Sequence, residues 1–189
     1  METINLVLCG IGGQGILLMT KVLEHTALRN GFKVMGAETH GMAQRGGSVV
    51  SHLRLGDFKS SLVKPGSAHF LLALEDNEAY RNIPFLAKGG KLYVNVSNNL
   101  FPQKEVKEYL EKKEIIYKSF PAGKIAMDLG APMSTNSALL GFFSAFEEGL
   151  FSYREVRETI NQVSPDRFKK VNLKVFDTCV EKGTKAKSD

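Results

Sequence analysis

Residues 10–15 read Gly10-Ile11-Gly12-Gly13-Gln14-Gly15. An apolar run, residues 4–9, leads directly into them, and a stretch with helical periodicity leaves from Ile16. Strand, glycine turn and helix in that order form a backbone cradle. Successive N–H groups and the positive helix end face an anion there, usually a phosphate. A second glycine cluster, His40-Gly41-Met42-Ala43-Gln44-Arg45-Gly46-Gly47-Ser48, begins 25 residues after the first ends. Together the clusters point to a phosphate-bearing cofactor rather than to a nucleic acid.

Outward from the first loop, residues 16–30 place Leu17, Leu18, Val22, Leu23 and Leu28 roughly on one helical face, with Gly31 as the stop. Residues 33–37 form a second strand. Strand, helix, strand at this spacing is a βαβ unit with a right-handed parallel crossover. Residues 48–55 alternate: Val49, Ser51, Leu53 and Leu55 face one way, Val50, His52 and Arg54 a wetter other way, so the sheet is parallel or mixed. Strands are expected over 68–74, 91–96 and 115–118. A helix is expected over 77–86, ended by Gly89-Gly90, and others over 102–113, 123–129, 135–148, 153–162 and 166–181. Alternating β and α elements predict an α/β, three-layer, Rossmann-like single domain over residues 1–181, followed by a basic, disordered tail at 182–189.

Composition narrows the function classes. The chain has 189 residues, 43% of them hydrophobic, enough for a full core. Cys9 and Cys179 are the only cysteines, too few for an iron–sulfur cluster or a four-cysteine zinc site. A disulfide framework is not expected, which suits a reducing, cytoplasmic compartment. Met1-Glu2-Thr3 offers no basic n-region, so no signal peptide is expected, and no apolar run reaches the roughly 20 residues that span a bilayer. The net charge of +5 is spread out, with no Lys/Arg block interleaved with aromatics, so neither nucleic acid nor membrane is an expected partner.

The first loop satisfies Gly-x-Gly-x-x-Gly through Gly10, Gly12 and Gly15. Glu38, 23 residues past Gly15, stands where a dinucleotide-binding domain holds ribose hydroxyls. The alternative is that these glycines serve only a tight turn. Gln14 offers its amide to a ligand, to a partner, or to its own turn. Arg45, before Gly46-Gly47, offers a guanidinium fork beside backbone N–H groups, or pins its own loop. His25, His52 and His69 lack metal-ligand spacing. Cys9 lies beside a helix N-terminus, which favours thiolate, against burial, which leaves it inert. Glu75-Asp76 ends a strand where ligands sit and also starts a helix. Asn98-Asn99 is half of a thiamine-diphosphate magnesium motif, but its Gly-Asp-Gly partner is absent. Gly56-Asp57-Phe58 differs at the third position and lies too far away.

With those residues in view, Gly10-Ile-Gly-Gly-Gln-Gly15 followed by Glu38-Thr-His-Gly-Met-Ala-Gln-Arg-Gly-Gly47-Ser-Val resembles the gamma-type subunit of 2-oxoacid:ferredoxin oxidoreductases. The form of the second cluster is most similar to the indolepyruvate:ferredoxin oxidoreductase beta subunit. Ala126-Met-Asp-Leu-Gly130, Asn136 and Leu140-Gly141 resemble a later family block. The similarity extends from residue 3 to about 180. It implies a chain with no catalytic residue of its own. Thiamine diphosphate, magnesium and iron–sulfur clusters would sit on a large partner subunit, ferredoxin would be met indirectly, and CoA would be a co-substrate. Carried over by position, Gly10, Gly12, Gly13, Gln14 and Gly15 form one lip of the site, and Arg45, Gly46, Gly47 and Ser48 the other. Without its partner such a chain is expected to form a homodimer.

Overall fold

The computed structural model describes residues 3–40, 46–97 and 100–188. Among them a six-stranded sheet has the order β2-β3-β1-β4-β5-β6. The strands are β1 (Ile4–Ile11), β2 (Val34–His40), β3 (Ser48–Leu55), β4 (Ala68–Ala73), β5 (Leu86–Asn95) and β6 (Ile116–Phe120). β1, β4, β5 and β6 are parallel neighbours, while β3 lies antiparallel to both β1 and β2. The sheet is therefore mixed. β1 and β2 run parallel, as a βαβ unit requires, but β3 is inserted between them.

The helices are α1 (Ile16–Arg29), α2 (Asp76–Asn82), α3 (Lys104–Lys112), α4 (Ala122–Asp128), α5 (Thr135–Phe146), α6 (Tyr153–Val163) and α7 (Asp166–Ser188). Alternate β1 residues feed opposite cores, because side chains along a strand alternate faces. Leu6 and Leu8 pack with α1, α5, α6 and α7, and Val7 and Cys9 with α2 and α3. This is the α/β three-layer arrangement. Local signals set several ends. Gly31 takes φ +77° after α1, and Ser152 and Glu155 form a reciprocal capping box at α6.

Several expectations change. Gly89-Gly90 does not stop a helix. The helix ends earlier, through a 3₁₀ turn at Ile83–Phe85, and the glycines lie within β5 where its register on β4 shifts. The second face of β3 is the wetter one at Val50 and Arg54, which are half-buried, but not at His52, which is buried, edge-on to Phe85 at 5.2 Å. Burial holds its imidazole below the usual histidine range. The supposed tail is helical through Ser188. Gly183 packs on Ala145 and Phe142 of α5, and Lys187 Nζ donates to the Ala145 carbonyl at 3.4 Å. That tertiary support is invisible in the composition of a Lys-rich end.

α5 lies between the sheet and α7, and Gly141 sets their separation. A Cβ at Gly141 would stand 2.4 Å from the Phe176 carbonyl oxygen. Gly141→Ala gains about 0.8–1 kcal/mol of helix propensity. It must also force two helices apart, which costs about 1–3 kcal/mol on overpacking precedent and wins because backbone cannot swing aside. We expect the variant to melt roughly 2–8 °C lower. Gly149→Ala, with nothing within 4 Å of the added atom, should melt with the wild type.

Candidate functional site

β1 and β4 are adjacent and parallel, yet α1 leaves β1 for one face of the sheet and α2 leaves β4 for the other. Their carboxyl ends thus flank a topological switch point, the usual ligand crevice of open α/β sheets. Here the chain fills that crevice itself. Gln14 folds back so that its Oε1 accepts from Ile11 N–H (2.8 Å), and its Nε2 donates to Glu75 Oε1 (3.2 Å). Gly10 is glycine for this reason: a Cβ there would sit 2.7 Å from Gln14 Oε1.

The open cleft is on the other side of the loop. It encloses about 300 Å³ and is walled by Gly12, Gly13, Gly15, Ile16, Leu17 and Val49. The α1 N-terminus opens into it with Gly15 as N-cap at φ 82° and no side-chain cap. The N–H groups of Ile16, Leu17 and Leu18 therefore lack intrahelical acceptors. Gly13, at φ +101°, has open space where a Cβ would be. No acidic side chain lines the cleft. Uncapped N–H groups at the positive helix end are groups that can hold an anion, and their chemistry fits a phosphate.

The two glycine segments meet directly, for Gly12 N–H donates to the Gly47 carbonyl (2.9 Å). Gly46 takes φ +79°. Ser48 is committed inward, its hydroxyl donating to Glu78 Oε2 (2.6 Å), while Arg81 binds the other oxygen (2.6 Å). Gly15 is held from the far side, where Asn136 Nδ2 donates to its carbonyl (3.2 Å). A Cβ at Gly15 would strike that amide at 2.2 Å. Arg45 lies outside the described residues, as do Asn98-Asn99.

Glu38 does not join this group. With β3 intervening, β2 is two strand spacings, roughly 9.6 Å, from β1. In that register Glu38 pairs with Ser51, which pairs in turn with Leu8, so Glu38 faces the α1 side. There it influences Glu24. Glu24's carboxyl is held above the usual range first by burial and then by Glu38, with His25 opposing. This placement removes the ribose-binding role a dinucleotide domain would give Glu38.

Cys9 is fully buried, its Sγ 3.5 Å from the Glu78 carbonyl. Burial, then Glu78, pushes its thiol up, so it is no nucleophile at neutral pH. Burial pushes Cys179 up to about 12. The two thiols lie in cores on opposite faces of the sheet. Glu78 is the site residue that sequence reading passes over, while Glu75 enters it only as a strand end and helix start, and Asn136 only as part of the later family block. Glu75 had a signal, since it directly follows a strand end, but Glu78 and Asn136 reach the loops only through tertiary contacts.

The pyruvate ferredoxin/flavodoxin oxidoreductase family matches residues 5–182, and the chain belongs to it. Within that family the chain is similar to indolepyruvate oxidoreductase subunits named IorB. It is 36% identical over 194 aligned residues to the indolepyruvate oxidoreductase subunit IorB of Pyrococcus horikoshii, with 96% of each chain covered. Its fold is similar to the keto/oxoacid ferredoxin oxidoreductase gamma subunit of Geobacter sulfurreducens (TM-score 0.73, 22% identity, 95% of this chain and 98% of that one). It is also similar to part of the 2-oxoglutarate:ferredoxin oxidoreductase of Magnetococcus marinus, a structure with 2-oxoglutarate, coenzyme A and succinyl-CoA bound (TM-score 0.77, 18% identity, 98% of this chain but 32% of that one).

The Glu24–Glu38 contact makes a pH prediction. A carboxyl whose folded pKa is raised contributes stability that is full below its unfolded pKa and is lost as pH rises through the folded one. Glu24→Gln cannot ionise. It should melt roughly 1–2 °C above wild type at pH 7, a small gain because the site is half exposed. The gap should close as pH falls into the carboxylate range, as followed by thermal melts across pH.

Proposed function

We propose that this chain is the non-catalytic small subunit of a thiamine-diphosphate-dependent 2-oxoacid:ferredoxin oxidoreductase. In this reading the substrate is indolepyruvate or a related aryl-pyruvate, and the glycine loops form one wall of the CoA side of the active site. The observation that carries this is the open cleft at the uncapped α1 N-terminus, lined by the first glycine segment and by Val49, just past the second segment, which is tied to the first through Gly47. Its N–H groups suit a phosphate of CoA, and Arg45, in the second segment, would add a guanidinium. Bound there, CoA supplies the thiol that takes up the acyl group. The chain's own part is to bind, orient and wall off that ligand.

The division of labour has support from the residues. Cys9 and Cys179 lie on opposite faces of the sheet and cannot share a cluster. Among the described residues no three His, Cys, Asp or Glu side chains are grouped to hold a metal ion. In this reading, clusters, thiamine diphosphate and magnesium belong to a large partner subunit, through which ferredoxin is reduced. That the fold matches only 32% of the Magnetococcus chain supports a larger partner. The substrate assignment rests on the name of the IorB relatives. Among the described residues no helix is long and apolar enough to cross a membrane, and two buried free thiols suit a reducing compartment. Leu17, which lines the cleft, is exposed, as are Leu100, Met127 and Met133, apolar surface suited to the partner and, without it, to self-association.

Two outcomes are expected. The isolated chain should reduce no viologen with indolepyruvate and CoA, and should do so only with its large subunit; turnover by this chain alone overturns the division of labour. Leu17→Glu places a carboxylate in the first turn of α1, where it favours the helix. It should leave the melting temperature unchanged or slightly raised. Meanwhile the CoA KM of the assembled enzyme should rise roughly 3- to 30-fold, or about 0.7–2 kcal/mol of repulsion. An unchanged KM removes CoA phosphate from this cleft.

A further inference from the structure

We propose that Glu75 and Glu78, which flank the first turn of α2, are positioning residues that clamp the two glycine segments into one anion cleft. Neither lines the cleft. Each holds a different segment: Glu75 takes the Gln14 amide from the first loop, and Glu78 takes the Ser48 hydroxyl where the second segment enters β3. Glu78 is 3% exposed, and both its oxygens are used, by Ser48 and Arg81. A buried carboxyl is retained at such a place only when fully hydrogen-bonded.

The same helix reaches a third loop. The Tyr80 hydroxyl accepts from Gln103 N–H (2.9 Å), and its ring stacks on Phe101 at 5.0 Å. α2 is itself fixed to the sheet through Ala79 and, just beyond its end, Ile83 packed in the core beneath it, and through the Cys9 thiol of β1 donating to the Glu78 carbonyl (3.5 Å). Glycine loops have no side chains with which to define their own shape, and glycine loses more conformational freedom on ordering than any other residue. The order must come from outside, and α2 supplies it to both loops from one rigid element. Gln14 is the coupling piece. One end of its amide closes the first loop on itself through Ile11, and the other fastens that loop to α2.

The positioning role rests on the proposed CoA cleft only for its functional consequence, so the test separates the two. Gln14→Glu sets two carboxyl groups face to face. Glu75→Gln leaves an amide oxygen to accept from Gln14. The double variant Gln14→Glu/Glu75→Gln exchanges acid and amide: Ile11 N–H still donates to the side-chain oxygen at position 14, and the bond between positions 14 and 75 is restored with its direction reversed. In the isolated chain, amide hydrogen exchange at residues 11–15 should quicken roughly tenfold or more in Gln14→Glu and return to within about threefold of wild type in the double variant. In the enzyme assembled with its large subunit, the CoA KM should follow the same order. Ser48→Ala, a small change that does not depend on Gln14 folding correctly, should quicken exchange at residues 46–49. A double variant no better than Gln14→Glu overturns the role of Glu75, and unchanged exchange in Ser48→Ala overturns that of Glu78. Exchange that follows the swap while the CoA KM stays flat upholds the clamp and overturns the CoA assignment.

Discussion

Eight residue pairs join β3 to β1, running antiparallel from Ile4–Leu55 to Ile11–Ser48. The rest of the molecule depends on that register. It brings the chain back into the sheet beside the first glycine loop, so the Gly47 carbonyl lies within reach of Gly12 N–H. It also pushes β2 to the edge and carries Glu38 away from the cleft. A slip of one residue would turn Val49, Leu53 and Leu55 from the α1 core toward the opposite face. The apolar alternation of β3 therefore fixes the geometry of a site to which β3 itself contributes little more than Val49 and Ser48.

The half of the molecule that carries α5 is built differently. Ten of its twelve residues are buried, with the sheet on one side and α7 on the other. Phe142 stacks on Phe120 at 4.0 Å, and Phe143 meets Phe70 and Tyr93 edge-on. Three buried polar side chains of this layer are linked to one another. Ser134 donates to Asn172 (2.7 Å), which donates to Ser164 (3.2 Å). At the C-terminal end of α5, Glu147 accepts from Lys91 and from the Tyr93 hydroxyl, whose proton is held above its usual range by burial and then by that carboxyl. The N-terminal end of the same helix holds Asn136 against Gly15. A heavily buried helix thus steadies the rim of the cleft from behind.

Chemically, what the cleft presents is backbone polarity. The nearest sulfur is a buried, protonated thiol, and the nearest acids are engaged in holding loops. What faces outward is backbone: N–H groups at a helix start and glycines with no side chain in the way. Such a surface recognises charge and shape at little entropic cost once the loops are ordered. The chain that carries it belongs to the pyruvate ferredoxin/flavodoxin oxidoreductase family.

The sequence by itself determines the element order, the glycine cradle, the α/β class and the family, because these rest on local periodicity and on short motifs whose glycines are needed for backbone reasons. The helix starting at Ile16 with its stop at Gly31, and the capping box at Ser152 and Glu155, are readable from neighbouring residues alone. Only the tertiary structure decides the rest. The insertion of β3 between β1 and β2 is a pairing between distant segments, and no local pattern distinguishes it from a simple βαβ neighbour. The helical end of α7 depends on Gly183 meeting α5, a contact across 38 positions of sequence. Gln14 turns inward to Glu75, 61 positions away, and Ser48 to Glu78, 30 positions away. Side chains that local reading offers equally to a ligand or to the chain are assigned by whichever partner the fold brings within about 3 Å. That is a property of the packed molecule, because hydrogen bonds depend on distance and direction in space rather than on separation along the chain.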